Sequence, residues 1–395
     1  MTGEPALYTR EFTRACALHF TSAMSLALFL LFPLYIKALG GTEVTIGLVL
    51  GVGTAASVAA RPFVGVLLDH AGRRRVLVWC GVANAASWVP FLFLTAVGPA
   101  LYFWVSVHEV VWGALFAAFF TYAADLAPPA RRAEGIAVFG VAGMSANGLA
   151  PIIGERVIEA SGYPAFFALA IAFALLGAAV TLVVPARTAL HPHEDRPRLR
   201  DIGRLATHRD LATVLGATIV LGVAINAAYF FVAPFTRVLG VEHTGPFFAA
   251  YSATSIVIRL FGRRTLDLMG PHRVSVPGFI AFALGLAGLA ALPFALSAST
   301  LVLVACGIGC GAGHGSLFPV LNALAVGRGP ASKQGAVVGL HTAALDFGAV
   351  VGTPLCGAVA QVFGYPAMYG ATALASLGGL VLMARDGRVW RGGVA

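Results

Sequence analysis

The reading of this chain starts from "RPFVGVLLDHAGRRRV", Arg61 to Val76, which lies between two long apolar runs. An arginine sits inside the first run, an aspartate closes it, and three consecutive arginines follow. The pattern returns in thinned form as "RLFGRRTLDLMGPHRV", Arg259 to Val274. Arginine, aspartate, glycine, arginine and valine all recur at an offset of 198. Charge placed this sparingly, and placed twice, points to a duplicated chain whose main solvent is not water.

Composition agrees. Of 395 residues, 58% are hydrophobic and only 11% charged, and the mean hydropathy is +0.86. A soluble domain carries about 25% charged residues, so most of this surface must meet lipid. The net charge of +9 does not call for nucleic acid, because the basic residues fall in short gaps between apolar runs. Twelve runs reach the length a helix needs to cross a bilayer. They are approximately 14–36, 45–68, 76–96, 100–125, 134–157, 163–184, 211–236, 246–267, 274–297, 299–326, 334–359 and 363–384.

Lysine and arginine placement tests that count. With both termini in the cytoplasm, the cytoplasmic segments hold 21 of the 26 basic residues. Arg61 and Arg259 fall inside spans, and Lys37, Arg156 and Arg237 at outer ends. Twelve spans satisfy the positive-inside rule, whereas eleven or thirteen would not. The first apolar run is too long for the core of a cleaved signal. The one long polar segment, Pro185 to Asp210, divides six spans from six. The expected organisation is therefore an all-α membrane protein with an N-terminal bundle over 1–184, a cytoplasmic linker over 185–210 and a C-terminal bundle over 211–395. A second echo joins "PIIGERVIEASGYPAFF" (Pro151 to Phe167) to "PLCGAVAQVFGYPAMY" (Pro354 to Tyr369), at an offset near 202. Parallel repeats of this kind are related by an axis along the membrane normal, with a binding cavity expected near the midplane.

"GVLLDHAGRRR", Gly65 to Arg75, resembles the motif between the second and third helices of the major facilitator superfamily. Gly65, Leu67, Asp69, Gly72, Arg73 and Arg74 match its Gly-x-Leu-x-Asp-x-x-Gly-Arg-Arg-Arg pattern. The resemblance covers essentially the whole chain and is nearest to the bacterial efflux-type permeases, often labelled arabinose-efflux or drug/proton antiporters. It implies secondary transport of a small organic compound by alternating access. Export coupled to protons is the leading form; a metabolite importer or facilitator, or a non-transporting membrane protein, are the alternatives. It also implies that Asp69, Arg73 and Arg74 form a cytoplasmic latch with Asp125, and that Asp267 and Arg273 form a weaker second copy. In that copy Arg263 replaces the first glycine, and Pro271 and His272 stand at two basic positions. The bland alternative is that these arginines only set topology and meet anionic lipid. Arg61 and Arg259 could line a gate, contact substrate or snorkel to phosphate; a charge inside a span faces protein or water by default.

Departures from the efflux pattern are as informative. Where the family's fourth helix commonly carries Arg-x-x-x-Gly, "VHEVVWG" places Glu109 four residues before Gly113, with His108 beside it. Glu109 is thereby a proton-coupling candidate, with a structural pair as the alternative. The fifth span keeps Gly140, Gly148, Pro151 and Gly154 of the antiporter glycine run but carries Ala150 and Glu155. Glu155 and Arg156 are expected near the outer surface, as an exposed ion pair or a rim contact. Asp346, His314 and His341 are further coupling candidates, because ionisable groups in spans are paired or functional; for the histidines, a helix-to-helix hydrogen bond is the alternative. Asn147, Asn226 and Tyr229 could face a substrate cavity, with Phe116, Phe120 and Phe230 as weaker choices against lipid contact or packing.

The five cysteines all lie in apolar runs, and Cys306 and Cys310 have no further ligand nearby to complete a metal shell. No Walker loop, nucleophile elbow or zinc spacing occurs. Neither a metal nor another cofactor is expected, nor enzymatic chemistry. The expected partners are a small-molecule substrate, protons and membrane lipid, and one chain suffices for the architecture, so a monomer is expected.

Overall fold

The computed structural model describes residues 7–71, 73–128, 131–184, 209–262, 270–330 and 333–385, and every regular element among them is helical. Hydrocarbon offers the backbone no hydrogen-bond partner, so a chain this apolar must satisfy its own amides within helices. In chain order these are α1 (Arg10–Ala38, interrupted by a 3-10 turn at Phe29–Leu31), α2 (Glu43–Ala71) and α3 (Arg73–Trp88, prolonged by the turn Val89–Leu92). α4 is Pro99–Leu126. The helical run Arg132–Leu182 is two helices, α5 and α6, parted at Gly162. α7 is Arg209–Phe230, continued after a break by Val232–Val238. The rest are α8 (Gly245–Phe261), α9 (Pro271–Ala291), α10 (Ser299–Arg328), α11 (Gln334–Phe363) and α12 (Tyr365–Arg385).

Twelve helices thus stand where twelve spans were expected. The expected end of the eighth span at 267 lies outside the described residues, as does the central segment 185–208. The echo between Pro151 and Pro354 has a conformational cause. Gly162 (φ 74) parts α5 from α6, and Gly364 (φ 84) parts α11 from α12. Each precedes Tyr-Pro, so a left-handed glycine and a proline at the next helix start make the same sharp turn twice.

Packing gathers the described residues of Met1–Tyr35 with those of Val52–Glu194, and those of Ile36–Gly51 with those of Asp195–Ala395. In the first unit α1 runs along α5 and α6. Gly143 faces His19, Gly177 faces Ser22, and Gly154 receives Leu28 and Leu31. Its apolar core includes Phe12, Leu115, Phe119, Tyr122 and Phe139, all buried.

In the second unit α10 is held between α8 and α9. Its glycines sort by face: Gly307, Gly311 and Gly315 meet α8, while Gly309 and Gly313 meet α9. Small residues permit this approach in lipid, where dispersion rather than water release drives helices together. Cys310 and Cys306 fill the space opposite Gly285 and Gly288.

The segment Ile36–Gly51 belongs to this second unit although it precedes most of the first in sequence. Gly47 abuts the backbone of Thr353, and Gly51 lies against Pro354. Lys37 pairs with Glu43 at 2.7 Å, Tyr365 donates to the same Glu43 oxygen at 3.2 Å, and the Val44 amide donates to Gln361 at 3.2 Å.

Candidate functional site

Two helix contacts, one in each unit, are built by elements that carry Glu109 and Arg61 in the first and Arg259 and His314 in the second. In the first, α2 meets α4. Gly113 packs on the Ser57 hydroxyl, and a Cβ at Gly53 would come within 2.9 Å of the Glu109 side chain. Glycine at 53 therefore makes room for the glutamate stem. Glu109 is half-buried in α4, and Arg61 is half-buried in α2. His108, one residue earlier, is buried and turned into a different environment. Its Nδ1 donates to Ser87 at 2.8 Å, since the Ser87 proton goes to the Asn84 carbonyl. Phe29 stacks on its ring at 4.6 Å and Trp88 meets it edge-on at 4.7 Å. Ser25 accepts from both Asn84 and Trp88 at 3.1 Å, completing a buried polar patch that ties α1, α3 and α4 together.

In the second unit α8 meets α10. Ser255 donates to the Gly311 carbonyl at 2.8 Å, and Gly311 packs against the Tyr251 backbone. Tyr251 and His314 Nδ1 are hydrogen-bonded at 2.9 Å, and the Arg259 guanidinium reaches His314 Nε2 at 3.5 Å. Arginine can only donate, so Nε2 must accept. The imidazole proton then sits on Nδ1 and is donated to the Tyr251 oxygen. Arg259 also lies over the Phe318 ring, 5.7 Å from its centroid. Tyr229 of α7 stands 4.9 Å from the Tyr251 ring and 6.3 Å from that of His314. Arg259, His314 and Tyr229 are half-buried, whereas Tyr251 is fully enclosed.

The remaining candidates scatter. His341 is buried on α11, its Nδ1 donating at 3.1 Å to Thr218, whose own proton goes to Val214. Asp346 is half-buried near the middle of α11. Asn226 donates to the Gly222 carbonyl of its own helix at 2.8 Å. Asn147 is half-buried on α5, and Phe230 half-buried at the end of α7. Phe116 is exposed and lies between Trp112 and Phe120, in tilted ring contacts at 5.8 and 4.6 Å.

Of the Gly65–Arg75 motif and its second copy, Gly72 and the side chains of Asp69 and Arg73 lie outside the described residues, as does Asp267. The backbone puts Asp69 in the last turn of α2 and Arg73 at the start of α3. Asp125 is buried at the end of α4 and Arg273 is exposed. Arg74 donates to the Thr181 and Leu182 carbonyls at 3.3 and 2.5 Å, so its hydrogen bonds close the C-terminus of α6 instead of reaching Asp125.

The exposed pair expected at Glu155 and Arg156 does not form. Glu155 is 2% exposed while Arg156 is exposed. The physical reason is that α5 continues to Gly162, so Glu155 is well inside the helix and its neighbour points about 100° away. Sequence reading also passed over Tyr251, His19 and the bidentate Arg131–Glu134 pair. His19 bonds the Phe139 carbonyl at 2.9 Å and stacks on that ring at 4.3 Å. Among the described residues the cysteines are free and no His, Cys, Asp and Glu cluster is placed for a metal.

Comparison with known proteins places the chain in a family. The model of the Major Facilitator Superfamily matches residues 15–309 and 244–389. An uncharacterized MFS-type transporter of Pseudomonas aeruginosa is 27% identical over 365 residues, covering 87% of this chain and 84% of that protein. The staphylopine export protein of Staphylococcus aureus is 23% identical over 347 residues, covering 85% and 86%. Among solved structures, the nucleoside transporter NupG superposes with a TM-score of 0.75 at 14% identity, over 98% of this chain and 100% of that one. The peptide transporter POT in complex with sulfate gives 0.75 at 15% identity, over 97% and 95%. Motif, twelve-helix duplication and family match thus coincide along the chain, which belongs to the Major Facilitator Superfamily of membrane transporters.

Proposed function

We propose that this secondary transporter exports a small organic compound across the cytoplasmic membrane by alternating access, driven by protons through Glu109. The observation that carries the reading is Glu109 itself: a half-buried carboxylate in α4, given room by Gly53, at the place where relatives of efflux type commonly hold an arginine. A group that is costly inside a span is expected to be paired or functional, and a carboxylate can carry a proton. Export as the direction is supported by the likeness to the staphylopine export protein. Orientation with both termini in the cytoplasm is supported by 21 basic residues on that side.

On this reading Glu109→Gln mimics the protonated form permanently. Substrate still binds and exchanges across the membrane, so counterflow in proteoliposomes persists. Accumulation driven by a pH gradient vanishes, because the group that senses the gradient is gone. Retained pH-driven accumulation would remove Glu109 from coupling and make Asp346 the next residue to test. A wild-type protein that equilibrates substrate without concentrating it would instead be a facilitator.

A further inference from the structure

We infer that Arg259, held by His314 and Tyr251 and walled by Tyr229 and Phe318, is an oxyanion site that takes a carboxylate of the transported compound. The inference rests on the transporter reading above and adds the class of substrate. Its ground is an imbalance. A guanidinium offers five N–H donors and never gives up its charge. Among the described residues Arg259 has a single hydrogen bond, the long one of 3.5 Å to His314 Nε2, its buried Nε has none, and no carboxylate stands within ion-pair distance. A half-buried cation in a span with its donors so poorly used is costly unless an anion completes it.

The surroundings orient the cation instead of neutralising it. Tyr251 is enclosed and fixes His314, and His314 presents a lone pair to the guanidinium. Phe318 supplies an aromatic face beneath it. These two α10 residues and Tyr251 are positioning groups, and Arg259 is the one whose donors are left for a ligand. A planar carboxylate matches the guanidinium fork with two parallel hydrogen bonds and a single compensating charge. The adjacent rings suit a flat or apolar body attached to it. A phospholipid phosphate could supply the same oxyanion chemistry. However, the guanidinium is drawn to His314, which lies midway along Ser299–Arg328.

The experiment uses the full chain in phosphatidylcholine vesicles with a panel of aliphatic and aryl carboxylates, each run beside its primary amide and its amine. Thermal-shift affinity and counterflow are both read. Carboxylates are expected to stabilise wild type and be carried in preference to their amides. Arg259→Gln should lose at least about tenfold in carboxylate affinity, and Arg259→Lys, which keeps the charge without the fork, should lose less. A panel without carboxylate preference overturns the site, and carriage of neutral members would then leave the transporter reading standing. Unchanged carboxylate affinity in Arg259→Gln also overturns it. So does loss of the wild-type preference when phosphatidylglycerol is added, which would assign the cation to lipid phosphate. If Arg259→Gln fails to fold, the wild-type comparison of acid with amide and the lysine variant still decide.

Discussion

The α2–α4 and α8–α10 contacts are one design built twice, and they differ in where they hold charge. Adding 198 carries Ser57 to Ser255, Arg61 to Arg259 and Gly113 to Gly311. Serine on one helix meets glycine on the other in both units. Around that shared frame the side chains diverge. The first copy has Gly53 against Glu109, and the second has Tyr251 against Gly307. Phe116 of the first corresponds to His314 of the second. The first contact thus keeps a carboxylate and no relay to its arginine through a histidine at that position; the second keeps no carboxylate there and links tyrosine, histidine and arginine in a row. Duplication conserved the packing and released the polar groups to specialise, acid in one unit and base in the other.

The closeness of the two contacts also differs, which gives tests in descending order of effect. A Cβ at Gly311 would run into the Tyr251 backbone, which cannot rotate away. Gly311→Ala is expected to destabilise the protein by about 1–3 kcal/mol through overpacking. This should read as a clear fall in the thermal midpoint of detergent-purified protein, and an unchanged midpoint would break the claim that the second contact is the tighter.

Ser255→Ala removes one hydrogen bond to a helical carbonyl that keeps its backbone partner, a loss of about 0.5–1.5 kcal/mol. Gly113→Ala should matter least. Its new methyl meets the Ser57 hydroxyl, the movable end of a side chain, and alanine gains about 0.5–1 kcal/mol over glycine within a helix. Its midpoint should stay near wild type, and nearer still when Ser57→Ala is added. A Gly113→Ala protein as damaged as Gly311→Ala would mean that both copies are equally close-packed.

Much of the architecture was legible because it depends on totals and periods. Spans follow from hydropathy, and duplication from Arg61/Arg259 and the two Gly-Tyr-Pro turns. The site was legible only in pieces. Arg259 and His314 stood out by depth, but their meeting depends on which way α8 and α10 face each other. Helices this apolar on every side do not declare a face. Tyr251 looked like any aromatic in a span, although its place in register with Gly53 was a signal. Glu155 was misjudged because it was placed near the end of a span closing at 157, whereas the helix runs on to Gly162 and Glu155 is buried. Arg74 drew attention as part of a motif, while its partners are carbonyls, which no side-chain pattern advertises.

The allegiance of Ile36–Gly51 has a practical consequence for anyone who would take the protein apart. The linker looks like the natural place to cut or to exchange halves between relatives. A second half produced from residue 211 onward would lack the backbone that Gly357 packs against at Glu43, the acceptor of the Tyr365 hydroxyl and the amide that Gln361 receives. A grafted first half would bring its own version of that strip, matched to a different α11. Compatibility in such hybrids should therefore be judged first at Gly47, Gly51 and Glu43 against Thr353, Pro354, Gly357 and Gln361. Recombination that respects the sequence boundary but ignores this strip cuts through a packed interior.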